Sequence, residues 1–118
     1  MQNDGKVRQA ALAFSIKLIN VYDRIERKAY LKNQLARSGT SIGANIYEAT
    51  YAESPEDFIH KMSIALKECH ETEYWLSLLG QIPSEVSHEV EPLKQEAGSL
   101  RRMLIASIST VKNRYNIN

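Results

Sequence analysis

The stretch Arg37-Ser38-Gly39-Thr40-Ser41-Ile42-Gly43-Ala44-Asn45-Ile46-Tyr47-Glu48-Ala49 decides how the rest of the chain is read. It contains no proline, and Leu31, Leu35, Ser38, Ile42, Ile46 and Ala49 recur at three- and four-residue spacing across it, which predicts a helix despite two glycines. Each glycine inside a helix costs roughly 1 kcal/mol relative to alanine, and serine and threonine add smaller penalties. A segment of such poor propensity is held helical by tertiary contact. Small side chains let another backbone come close, so Gly39, Ser41, Gly43 and Ala44 are expected to be the positions on which neighbouring helices pack tightly.

Upstream, Val7, Ala11, Phe14, Leu18, Val21 and Ile25 form an unbroken helical seam that Asn3 or Asp4 can cap. Leu12, Ile16 and Ile19 lie off that seam and widen the apolar surface beyond what one partner helix covers, which points to a subunit contact. Downstream, Ser54 reads as an N-cap, Pro55 as the first helical residue and Asp57 as the second half of a capping box. The helix they open carries Phe58, Met62, Ala65, Cys69, Thr72, Leu76 and Leu79 on one face, with Gly80 as its stop and Pro83 barring continuation. The last seam is Val86, Val90, Leu93, Ala97, Leu100, Leu104, Ser107 and Val111, with Ile105, Ile108 and Tyr115 beside it. Pro92 interrupts it, so a short turn near residues 85–89 and a main helix from about Glu91 are expected. The expectation is one all-α domain over residues 1–118, an antiparallel up-down four-helix bundle with helices near 5–28, 31–52, 55–80 and 91–115.

The chain has 118 residues, enough to bury on the order of 65% of its unfolded surface around one core. With 15 Lys and Arg against 14 Asp and Glu, net charge gives no sign of a nucleic-acid or membrane-surface protein, and only a local patch could supply one. A single cysteine, Cys69, excludes an internal disulfide and fits a reducing compartment. The polar start from Met1 to Lys6 is unlike a signal peptide and no long apolar run occurs, so a cytoplasmic protein without membrane contact is expected.

Chemistry is sparsely signalled. Glu68, Glu71, Glu73, His60 and His70 lack the Glu-x-x-His spacing of carboxylate-bridged metal sites, and Glu85-Val86-Ser87-His88 has it without a counterpart elsewhere. Ser38, Thr40, Ser41 and Cys69 have no His or acid spaced to activate them, so no catalytic residue, metal or cofactor is expected. Asn45, with Arg37 and Glu48 flanking it, reads either as a ligand pocket or as a buried network with Lys67, Glu68 or Glu71 that fixes helix register. Tyr74 and Trp75 read either as interface anchors or as intramolecular packing. Arg24, Arg27, Lys28, Lys32, Arg101 and Arg102 are the candidate nucleic-acid contacts, since a modest patch repeated around a ring becomes a positive band.

Arg37, Ser38, Ser41, Ile42, Ala44, Asn45, Ile46 and Glu48, continued through Ala52-Glu53-Ser54, Asp57-Phe58 and Tyr74-Trp75-Leu76, resemble the core motif of the 23S rRNA intervening-sequence proteins. The resemblance runs from about Phe14 to Asn113, and departs where many relatives carry glycine and this chain has Ala49 and Thr50. It implies a four-helix bundle assembled as a ring-shaped homopentamer. It also implies similarity to the accessory protein of diversity-generating retroelements, a basic pentamer that binds nucleic acid and a reverse transcriptase. The expected function is therefore a non-enzymatic oligomeric scaffold or adaptor whose partners are itself and RNA, DNA or a nucleic-acid-handling protein. The alternative is a purely structural protein-protein module.

Overall fold

Each of the four apolar seams becomes one helix: α1 (Asp4–Arg24), α2 (Ala29–Ala49), α3 (Pro55–Gly80) and α4 (Ser87–Arg114). The computed structural model describes residues 4–118. All the seam residues from Val7 to Val111 are buried, the polar Ser38, Thr72 and Ser107 among them. Thr72 and Ser38 meet across α2 and α3 at 3.0 Å between their hydroxyl oxygens, and Thr72 also donates to the Glu68 carbonyl at 2.8 Å. This satisfied polar pair within an apolar core fixes the register of the two helices.

Each helix packs against its chain neighbours, and α1 closes on α4, so the diagonals do not meet. The contacts run in order along the helices. A Cβ on Gly39 would strike Leu18 and one on Gly43 would meet Ala11, while Tyr22 donates its hydroxyl proton to Asn33 at 2.8 Å. Residue numbers therefore rise along α1 as they fall along α2. The molecule measures 47 × 21 × 20 Å, its long dimension set by the helices.

Local chemistry explains most boundaries. Ser54 accepts from the Asp57 amide at 3.1 Å, and the Asp57 carboxylate accepts from the amide of Glu53 at 3.2 Å. With Pro55 at the first turn and Glu56 and Asp57 complementing the helix dipole, α3 starts where the sequence says it must. Elsewhere the boundaries shift. The first helix stops at Arg24 rather than near residue 28, because Arg27 and Lys28 adopt left-handed backbone angles (φ 65° and 53°) that turn the chain into α2. Lys32 ties that corner by donating to the Ile25 carbonyl at 2.9 Å while its ammonium lies 4.3 Å from the Tyr22 ring centroid. The second helix accordingly spans Ala29–Ala49.

Gly80 ends α3 without a left-handed cap; it is the last helical residue, and a Cβ there would come within 3.1 Å of Val90. Its smallness serves the α3–α4 crossing. Pro92 likewise does not split the last helix, which is continuous from Ser87. Proline removes a single amide, whose acceptor would be the carbonyl of exposed His88 in the first turn, where water can replace the lost bond. Of the expected caps for α1, Asn3 lies outside the described residues and Asp4 begins the helix itself.

Candidate interaction surface

The small residues of α2 separate into two sets. Gly39 is buried, and a Cβ on it would come within 2.0 Å of a methyl of Leu18. Gly43, one turn on, is half-buried, and its Cβ would sit 3.6 Å from Ala11 and Ser15, an ordinary contact. Ala44 is exposed, and Ser41 is half-buried with its hydroxyl donated to the Arg37 carbonyl at 2.7 Å. The expected tight packing on all four thus holds within the protomer at Gly39 alone. The reason is what α1 presents at each position: the branched Leu18 stands over Gly39, whereas the small Ala11 and Ser15 face Gly43.

These small side chains leave a groove of about 460 Å³ lined by Arg8, Leu12, Ser15, Gly43, Ala44 and Tyr47. Leu12 continues into Ile16 and Ile19, and the three are 62%, 53% and 46% exposed on the outer side of α1. The off-seam stripe and the outward small residues are therefore one apolar surface. Tyr47, which lines it, and exposed Tyr51 lie with ring centroids 5.5 Å apart, and the neighbouring Tyr51 hydroxyl holds the Tyr47 hydroxyl above the ordinary tyrosine range.

A second aromatic group gathers beside α2 and α3. Trp75 is half-buried, donates its indole N–H to Glu71 at 3.0 Å and is met edge-on by Tyr30 at 6.0 Å and Tyr74 at 5.1 Å. Tyr30 and Tyr74 are exposed, so only Trp75 takes an intramolecular role. Tyr30 was not signalled by sequence, because it precedes the periodic residues of its helix.

The expected polar network divides in two. Arg37 pairs with Glu68 at 3.1 Å and with Glu71, and takes a further bond from its Nε to Gln34 at 2.9 Å. Asn45 stays outside that group, donating to the Ser41 carbonyl of its own helix at 2.9 Å. Glu48 pairs with Lys61 at 3.1 Å, while Lys67 is exposed. Sequence spacing along α3 did not reveal Lys61 as the partner, since the choice follows the register of α2 against α3, in which Arg37 meets Glu68 and Glu71 and Glu48, three turns on, meets Lys61.

Two of the six candidate cations for phosphates are held in intrachain ion pairs. Arg24 grips Glu89 with both guanidinium arms, one at 2.7 Å, and its hydrogen bond keeps the Glu89 carboxyl below and the arginine above their ordinary pKa values. Arg101 donates from Nε to Glu73 at 2.9 Å. Lys32 is committed to the Ile25 carbonyl, and Arg27 and Lys28 stand near Glu85, whose carboxyl is held low chiefly by the Glu26 amide. Arg102 is exposed and makes no ion pair among the described residues. No group of three His, Cys, Asp or Glu that could hold a metal occurs among the described residues.

The hydroxyls of Thr40 and Ser41 are bonded to backbone carbonyls one turn back, and Ser38 to Leu35 and Thr72. Cys69 is fully buried, donates to the Ala97 carbonyl at 3.1 Å, and burial pushes its thiol up to about 12, where no thiolate forms at neutral pH. These groups are structural.

Taken together, the fold and surface define a four-helix all-α protein with an uncovered apolar flank. Residues 3–106 match the 23S rRNA-intervening sequence protein family, and the chain belongs to that family. It is also similar to the crystal structure of a protein with unknown function from the S23 ribosomal protein family of Bacteroides thetaiotaomicron VPI-5482. That chain is 38% identical with a TM-score of 0.81, and the match covers 91% of this chain and 98% of the other. No curated protein matches. Among the described residues no helix is long and apolar enough to cross a membrane.

Proposed function

We propose that this chain is a non-enzymatic cytoplasmic scaffold: an antiparallel up-down bundle whose copies assemble into a ring-shaped homo-oligomer, a homopentamer by the family resemblance. The opposed running of residue numbers along α1 and α2 supports the antiparallel arrangement. One observation carries the assembly, namely the continuous apolar surface from Ile19 through Leu12 into the groove at Gly43 and Ala44. Contiguous apolar surface of this kind on a soluble protein marks an interface. The second apolar group, around Tyr74 and Trp75, belongs to α3, which does not touch α1. Two different patches on separate flanks favour head-to-tail contact, which closes a ring where a self-complementary patch would make a dimer.

A second reading adds nucleic acid, or a protein that handles it, as the scaffold's partner. It is favoured by Arg102 and Lys94, cations that no carboxylate of the described residues neutralises. Without it the chain is a structural protein-protein module. Sedimentation velocity of the wild type and of Leu12→Glu/Ile16→Glu tests the assembly. The wild type is expected to sediment as an oligomer and the variant as a helical monomer; equal masses for the two would refute the assignment of this surface.

A further inference from the structure

Gly98 lies buried in the interior of α4, where glycine is a poorer helix residue than alanine. Packing does not require it. Apart from its chain neighbours and the backbone of its own helix, the only described atoms within 4 Å of the position a Cβ would take are Nη2 of Arg101 and Nη1 of Arg102, each at 3.5 Å, which is ordinary contact. Gly39 and Gly80 differ, because a Cβ there meets core side chains at 2.0 and 3.1 Å. Beyond its own helix backbone and chain neighbours, the atoms nearest a Cβ on Gly98 are thus those of two guanidinium groups.

Two nitrogens each 3.5 Å from one point lie no more than 7 Å apart, so adjacent arginines fold back to converge over a bare stretch of helix. Like charges so placed attract an anion between them. Arg101 gives only its Nε–H to Glu73, leaving its Nη groups available, and Arg102 and Lys94 make no ion pair among the described residues. Lys94, one turn before Gly98, lines the same groove of about 380 Å³, as do Glu73 and Glu91. Three cations against two carboxylates leave the groove positive by one charge. An oxygen held by both guanidinium groups would lie over Gly98, where a methyl on residue 98 would narrow the space.

We propose that this groove between α3 and α4 is an oxyanion site that takes a phosphate group, with Arg101 and Arg102 as a fork over Gly98 and Lys94 as the third cation. The site rests on the nucleic-acid reading only for one possible source of the phosphate; a free or small-molecule phosphate is the other. The contact surfaces proposed for assembly lie on α1 with the adjoining face of α2 and on the Tyr74–Trp75 side of α3, and none of the four residues belongs to them.

The test is a low-salt titration of the full chain with inorganic phosphate and, separately, with a mixed-sequence single-stranded oligonucleotide, read by the backbone amide resonances of residues 94–102 and by calorimetry. The wild type is expected to shift these amides with at least one ligand. Arg102→Ala is expected to weaken that binding about tenfold, the loss of one hydrogen bond between charged groups. Gly98→Ala is the sharper variant, because it is expected to raise the thermal midpoint through helix propensity while lowering phosphate affinity. Response to the oligonucleotide alone assigns the phosphate to a polynucleotide, and response to inorganic phosphate alone assigns it to a small molecule. Absence of shifts with both ligands overturns the site. So does affinity unchanged in Arg102→Ala and Gly98→Ala; if the oligonucleotide still binds both variants, the groove is wrong and the nucleic-acid reading survives it.

Discussion

Gly39 and Gly43 stand one turn apart on α2 and do opposite work. At Gly39 the side chain of Leu18 occupies the space a Cβ would need, so the glycine belongs to the core of its own protomer. At Gly43 the nearest atoms are 3.6 Å away and the residue opens onto the groove beside Leu12 and Tyr47. The same residue type in the same motif thus serves the fold in one place and the surface in the other, and what separates them is the size of the α1 side chain opposite, Leu18 at Gly39 and Ala11 with Ser15 at Gly43.

Breaking the first half of this contrast gives the largest effect. Gly39→Leu drives a branched side chain into Leu18 and Phe14 and is expected to cost about 3 kcal/mol, near the upper end for overpacking. Its denaturation midpoint should fall by the same amount at every protein concentration, since the damage lies within one chain. Gly43→Leu attacks the other half: it fills the groove, so the mass in solution should fall, and the loss of stability should depend on concentration as it does for any linked assembly. A drop independent of concentration would place Gly43 with Gly39. Gly43→Ala is the small, opposite-signed variant. Its Cβ fits at ordinary contact distance, so removing the helix penalty should stabilise by up to about 1 kcal/mol in chemical denaturation.

The smallest effect concerns how α1 is held on its other side, where Arg24 grips Glu89 and Lys17 meets Glu96 at 2.6 Å. The folded Glu89 carboxyl titrates below its unfolded value because Arg24 bonds its charged form. The pair therefore contributes above the ordinary carboxylate range, about pH 4.3, and its contribution is lost as pH falls through the lower folded value. The thermal midpoint of Glu89→Gln should lie slightly below wild type at neutral pH and meet it in acid; a gap that persists in acid would show that packing, not charge, is disturbed. Both groups are substantially exposed, so salt should shrink the gap as well.

The seams were legible from sequence because burial on a helix repeats every three or four residues, and the core residues from Val7 to Val111 all obey it. The start of α3 was legible because Ser54, Pro55 and Asp57 satisfy backbone groups locally. Turns driven by backbone angle were not. Arg27 and Lys28 sit in left-handed conformations that glycine or asparagine would have advertised, and Pro92 is tolerated because the carbonyl it deprives belongs to exposed His88 in the first turn, which spacing does not carry. Sequence showed the apolar stripe of α1 and the small residues of α2 as separate features. That they form one surface depends on how α1 and α2 are set side by side, and the pairing of Glu48 with Lys61 instead of with Lys67 on the register of α2 against α3. The role of Gly98 was invisible for a similar reason, because only the folded arms of Arg101 and Arg102 distinguish it from a glycine of convenience.

Light scattering of the wild-type chain, followed from high to low micromolar concentration, addresses the apolar flank most directly. A mass several times the 13.4 kDa chain, fivefold for a pentamer, is the expected result. A steady 13.4 kDa across that range would mean that the surface from Ile19 to Gly43 is covered by no second copy, and the scaffold reading would fall with it.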